Sequence, residues 1–175
     1  VGMAINFAVG AGVMYPPIYR DRSQRARNQE ALDSLSSFLD RPFTLVGLHP
    51  EGTRNKNESP YDLLPAQPGI GQIVLHAKPL VVPLFINGMT NDFLRSIRNS
   101  FRPDAKRRNP LILSFGDPID YSEFEGTKPR AALYKRCADK ILEGVRACGE
   151  REKALRAKIT SGEIDESHPG WLYHG

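Results

Sequence analysis

Cysteine is scarce: the 175 residues hold two, Cys137 and Cys148. They lie eleven positions apart in a stretch of helical periodicity, about 16 Å along a helix axis and too far for one disulfide. No Cys-x-x-Cys pair occurs, which argues against zinc and disulfide scaffolds and suits a reducing compartment. No run of about 18 consecutive apolar residues occurs, so no membrane-spanning helix is predicted. GxxxxGK[ST] and GxGxxG are both missing, which argues against P-loop and Rossmann enzymes. RNP, KH and helix-turn-helix signatures are missing too, and no aromatic residues interleave with basic ones. There is no internal repeat and no long linker.

What is present describes a folded chain. Hydrophobic residues make up 40% and charged residues 25%, enough for one domain with a core. Lys and Arg total 24 against 20 acids, a net +4. That excess fits a phosphate-bearing partner (nucleotide, lipid headgroup or nucleic acid) and fits an ordinary mixed surface equally well.

The opening stretch VGMAINFAVGAGVMY is apolar, with no basic flank to make it a signal peptide. It reads as a buried core element or as an interfacial segment touching lipid. Pro16 and Pro17 hold the next residues, to Arg22, extended. Ser23 to Leu39 is predicted helical, with Ala26, Ala31, Leu32, Leu35 and Leu39 as its apolar stripe and Pro42 as its breaker. Phe43 to Leu48 reads as a short buried strand. A polar loop with little capacity to pack runs from Asn55 to Pro68, and a helix from Gly69 to Ala77 ends at Pro79.

A second strand is expected over Leu80 to Ile86, with Pro83 inside it marking an edge, an end or a bulge. Asn87-Gly88 signals a turn. Asp92 to Arg98 reads as a short helix, Arg102 to Arg108 as an exposed basic run, and Leu111 to Phe115 as a third strand. The last third is helical, with Pro129 at its first position, Thr127 near its cap, and a stripe of Leu133, Cys137, Ile141, Val145 and Cys148. The helix is expected to run past Gly149. The tail carries Trp171 and Tyr173, either docked or touching a membrane surface. Strands alternating with helices predict an α/β domain with a mostly parallel sheet flanked by helices. Ligand chemistry in such sheets gathers at the carboxyl ends of strands.

His49-Pro50-Glu51-Gly52-Thr53-Arg54 sits at such an end. Gly52 permits a close backbone approach or a positive φ. Thr53 offers a hydroxyl, and Arg54 a planar fork suited to phosphate. Glu51 would repel a bound phosphate unless something donates to it: a substrate hydroxyl, a backbone amide or an arginine. These residues alone allow a phosphate-handling turn or a plain surface turn with a Glu-Arg pair.

Leu48 to Arg54 closely resembles the PEGTR block of the glycerolipid acyltransferases, the lysophosphatidic-acid and glycerol-3-phosphate acyltransferases. Lys78 to Gly88, an apolar strand around Pro83, is similar to the family's last block. Gly69-Ile70-Gly71 is similar to the stretch between those two. Tyr15 to Arg22 resembles the second block, with Arg20 the better match to its arginine and Arg22 the fallback. The resemblance spans about residues 5 to 120, in family order.

The resemblance implies acyl transfer from acyl-CoA or acyl carrier protein, as co-substrate, to the hydroxyl of 1-acylglycerol-3-phosphate in phospholipid biosynthesis. It implies no cofactor and no metal. Glycerol-3-phosphate or another lipid hydroxyl is the variant acceptor. Arg20, Glu51 and Gly52 would hold the glycerol phosphate with Thr53 and Arg54 beside them, and Pro83 would shape the floor. Residues 1–125 would form a partial acyltransferase domain, and residues 126–175 a helix and tail packed on it. A membrane surface would be a partner, at the cytoplasmic face, and nucleic acid would not. The alternative is a non-catalytic module binding phosphate or nucleic acid through its basic loop.

The family's base is the histidine of a His-x4-Asp dyad, its aspartate orienting the imidazole. None occurs here: Arg54, Val81 and Tyr173 stand five residues after His49, His76 and His168, and His174 is the penultimate residue. No catalytic residue is therefore assigned within the chain. His49 is expected to pack or hydrogen-bond rather than serve as a substitute base. The expected reading is that the N-terminal part is missing and the chain is inactive alone, a degenerate relative being the other option. Extending the reading frame upstream should reveal His-x4-Asp about 20 to 30 residues before Arg20, the span of a strand–helix unit. A complete domain opening at Val1 would contradict this.

Overall fold

The computed structural model describes Ser23, residues 25–53, Asn55, and residues 57–88 and 109–172. Helix α1 spans Arg25–Leu39 and helix α2 spans Pro68–Ala77. Strand β1 covers Leu84–Asn87 and strand β2 covers Ile112–Phe115. A 3-10 turn at Ser122–Phe124 precedes the 31-residue helix α3, Ala131–Ser161.

Local chemistry sets most of these boundaries. Pro68 stands at the start of α2, where its missing N–H costs nothing. Lys78, in the left-handed region, donates its N–H to the Val74 carbonyl and closes α2 before Pro79. α3 runs past Gly149, as its charge pattern predicts, until Gly162 (φ 78°) turns the chain out. Its start differs from the expectation at Pro129. The N-cap is Arg130, in extended backbone and with no side-chain cap, so Pro129 lies outside the helix and Thr127 does not cap it.

α3 is the platform. α2 crosses it, both strands lie on it, and α1 packs on α2. One core cluster joins Val74 of α2, Phe124, and Leu133, Cys137 and Ile141 of α3. Burying each aliphatic side chain of this kind contributes about 1.5–3 kcal/mol. Burial raises the Cys137 thiol to about 11, so it stays protonated and serves as a small apolar group. At Gly71, which is buried, an added Cβ would stand 2.0 Å from the backbone oxygen of Tyr134. The two helices therefore meet backbone to backbone.

The strands pair antiparallel, Leu84 with Phe115 and Asn87 with Ile112. An antiparallel pair is the only sheet among the described residues, so the chain is mixed α and β there without the parallel order expected. Pro83 stands just ahead of β1 rather than inside it. Its carbonyl accepts the Gly116 N–H at 2.9 Å, and the Val81 carbonyl accepts the Ile119 N–H at 2.9 Å. Pairing thus continues through carbonyls, but Pro83 has no N–H to donate, and regular ladder begins at Leu84. Phe85 and Ile112 are buried, whereas Ile86, Leu113 and Phe115 are exposed on the other face.

Three further expectations are corrected. Phe43 to Leu48 forms no strand: Phe43 has φ 59° and, like Leu45, is almost fully exposed (107% and 95%). A buried strand needs a hydrogen-bonding neighbour and a covering face, and no described residue supplies them. The Asn55 to Pro68 loop does pack, because Ala66 is 2% exposed against Ala138 and Leu142 of α3. His49 is exposed and so does not pack. The tail leaves Leu172 exposed, with the Trp171 N–H on the His168 carbonyl, and Tyr173 lies outside the described residues. The readings of residues 1–22, 92–98 and 102–108 also lie outside them.

Gly71→Ala should destabilise the chain by about 1–3 kcal/mol, because its new methyl meets backbone that cannot swing aside. Gly69→Ala is the control: its Cβ would meet only the tip of Leu32 at 3.3 Å. It should stay within about 1 kcal/mol of the parent. Urea unfolding of both variants checks the pair.

Candidate functional site

His49, Pro50, Glu51 and Gly52 make a four-residue turn, closed by the Gly52 N–H on the His49 carbonyl at 3.0 Å. Pro50 occupies the second position, where its fixed φ is already suitable, and glycine occupies the fourth. Gly52 has φ 65°, the left-handed region that favours glycine. An added Cβ there would also stand 2.7 Å from Cγ of Gln67. Because Gln67 is exposed and flexible, backbone conformation outweighs that contact.

The turn is sewn to the segment that follows it. The carboxylate of Glu51 accepts the Leu64 N–H through Oε2 at 2.6 Å. The Pro50 carbonyl accepts the Gln67 N–H at 2.7 Å. Across the loop between, Asn55 and Asn57 each donate Nδ2 to the Asp62 carbonyl, at 2.8 and 2.7 Å. Of the three donors open to Glu51 in the sequence, the structure uses a backbone amide. A carboxylate held this way braces the turn.

The other expected site residues divide. Gly52 sits in the turn with Glu51, and Thr53, half-buried, follows it directly. Arg20 and Arg54 lie outside the described residues. Pro83 is buried beside α3: an added Cβ at Gly144 would stand 3.3 Å from its ring, and its carbonyl takes the Cys148 thiol at 3.7 Å. Among the described residues no group of three or more His, Cys, Asp or Glu could hold a metal ion.

A second cluster adjoins this segment. Glu152 is 0% exposed, the only buried charged residue among those described. Its Oε1 receives Nε of Arg156 at 2.7 Å and Nη2 at 2.6 Å. Its Oε2 receives the Tyr61 hydroxyl at 2.7 Å and Nδ2 of Asn87 at 3.3 Å. Arg156 continues to Oδ1 of Asn109 at 2.7 Å and to the Pro110 carbonyl at 3.1 Å. Burial first, then the Glu152 carboxylate, pushes Tyr61 above the ordinary tyrosine range, so it remains a donor. The sequence did carry a signal for this cluster. The stripe Leu133, Cys137, Ile141, Cys148 steps next to position 152, where a core residue is due and a glutamate stands.

Gly52→Ala should lower stability by about 1–2 kcal/mol, the cost of a Cβ in left-handed backbone. Gly52→Asn should lose less, since asparagine tolerates that region, and Gly52→Val more. Urea unfolding of the three variants checks the order.

The family model described as Acyltransferase matches residues 11–87. The match takes in the His49–Gly52 turn, α1, α2 and β1. No curated protein and no solved structure matches the chain. Through residues 11–87, with the turn at Glu51 and Gly52 inside the matched stretch, this chain is similar to the acyltransferases.

Proposed function

We propose that the chain is the acceptor-binding part of a glycerolipid acyltransferase, acting on 1-acylglycerol-3-phosphate in phospholipid synthesis. The observation that carries this reading is the acyltransferase match over residues 11–87, which spans the proposed contributors of charge, Arg20, Glu51 and Arg54. The braced turn supports it. A headgroup site needs backbone that does not move when an anion arrives, and the Leu64 amide on Glu51 and the Gln67 amide on Pro50 hold the two residues that lead into Gly52.

In the proposed reaction the acceptor hydroxyl oxygen attacks the thioester carbonyl of acyl-CoA or acyl carrier protein. An ester C–O bond forms, the C–S bond breaks and the thiol leaves. The hydroxyl proton passes to a base and then to the departing sulfur. The family resemblance gives that role to the histidine of a His-x4-Asp, a pattern this sequence does not contain. Arg20 and Arg54 would take the phosphate, with Gly52 and Thr53 beside them, while Glu51 holds the turn in shape. Pro83 would set the floor through the strand start it defines. The lipid acceptor brings the enzyme to a membrane surface, at the cytoplasmic face. Among the described residues no helix is long and apolar enough to cross one.

An acyl-CoA assay on the protein encoded by the complete reading frame tests this. Glu51→Ala and Arg20→Ala should each lower kcat/KM for 1-acylglycerol-3-phosphate by about tenfold or more, the loss of one charge-assisted contact. Full activity in both variants removes the site assignment. The 175-residue chain alone should show no turnover.

A further inference from the structure

We infer that Tyr61 and Glu152 form a positioning site, through which α3 sets the geometry of the turn at Glu51 and Gly52. The inference rests on the headgroup role proposed for that turn and extends it to Glu152 of α3, outside the matched stretch. Tyr61 hands its hydroxyl to the buried Glu152 at 2.7 Å. Its ring stacks on Phe85 of β1, with centroids 5.7 Å apart and planes inclined by 13°. The ammonium of Lys153 lies 5.3 Å from the centre of the same ring. These three contacts fix one residue of an otherwise polar loop against the strand and the long helix. Three residues later the Leu64 N–H is delivered to Glu51, and three later still the Gln67 N–H to Pro50.

The direction of control follows from burial. Glu152 is wholly enclosed and held by two donors of Arg156, so it is the fixed end of the chain of contacts. Residues 49 to 52 lie nearer the surface and are the adjustable end. A merely cohesive network would need only the Glu152–Arg156 pair. Here one carboxylate oxygen serves Arg156, while the other serves Tyr61 and the end of β1. Arg156 also grips Asn109 and Pro110, just before β2. The same carboxylate therefore ties the turn to Asn87 at the end of β1 and, through Arg156, to Asn109 and Pro110 ahead of β2.

Tyr61→Phe tests this, because it removes the donor while keeping the ring and its stacking. Glu152→Gln is the conservative partner, retaining an acceptor for the hydroxyl. Two readouts on the 175-residue chain separate the inference from the reading beneath it. The first is amide hydrogen exchange. Tyr61→Phe should speed exchange at Leu64 and Gln67 by about tenfold, with Ile73 and Val74 of α2 unchanged, and Glu152→Gln should give a smaller effect at the same amides. The second is calorimetric titration with glycerol-3-phosphate, whose affinity should fall by about tenfold in Tyr61→Phe and less in Glu152→Gln.

Unaltered exchange at Leu64 and Gln67 overturns the positioning role. So does loss of protection spread evenly over α2 and α3, which would make the cluster general cohesion. A parent chain that fails to bind glycerol-3-phosphate while Leu64 and Gln67 respond as expected sinks the headgroup reading and leaves the positioning in place.

Discussion

The described structure depends on how closely a short helix can approach a long one. α2 touches α3 at Gly71, with no side chain between them, so main chain rests on main chain. That approach lets Ile73 and Val74 reach the core and sets where the preceding loop must enter it. The loop then has one route along α3, with Ala66 pressed on Ala138 and Leu142. The turn at Gly52 is therefore tied indirectly to the helix crossing. Its backbone partners, Leu64 and Gln67, lie on the segment whose end α2 anchors.

Polar groups finish what packing begins. Enclosing a carboxylate costs several kcal/mol unless its partners also come along, and breaking such a pair costs about 3–5 kcal/mol. Glu152 meets that demand with a guanidinium, a phenol and an amide. Among the described residues no buried side-chain nitrogen or oxygen lacks a hydrogen bond. The partners come from α3, from the loop and from β1. Satisfying one charge thus constrains three segments distant in sequence. Apolar contacts alone tolerate sliding, whereas directed hydrogen bonds define one arrangement.

Glu51 illustrates how a motif residue can hold its place for a mechanical reason. A carboxylate in a phosphate-handling turn looks like a contradiction while only its charge is considered. Once its oxygen is seen on the Leu64 amide, the charge has a donor and the turn has a brace. Gly52 is explained by the same turn, since its φ of 65° is where the chain leaves the hydrogen-bonded loop.

The amino-acid order alone determined the helices, the turn and the family resemblance. Pro68, Pro79 and Gly162 punctuate the chain through covalent geometry that acts locally, and the spacing of Leu133, Cys137 and Ile141 reflects one helix's own period. The Pro50-Glu51-Gly52 turn was legible for the same reason: proline and glycine carry their conformations with them. Tertiary structure decided the rest. An apolar run such as Phe43 to Leu48 becomes a strand only if neighbours pair with it, and local propensity cannot supply them. The antiparallel sense of β1 and β2 depends on how two segments separated in sequence meet. Tyr61 and Glu152, 91 positions apart, become partners only where α3 brings them together.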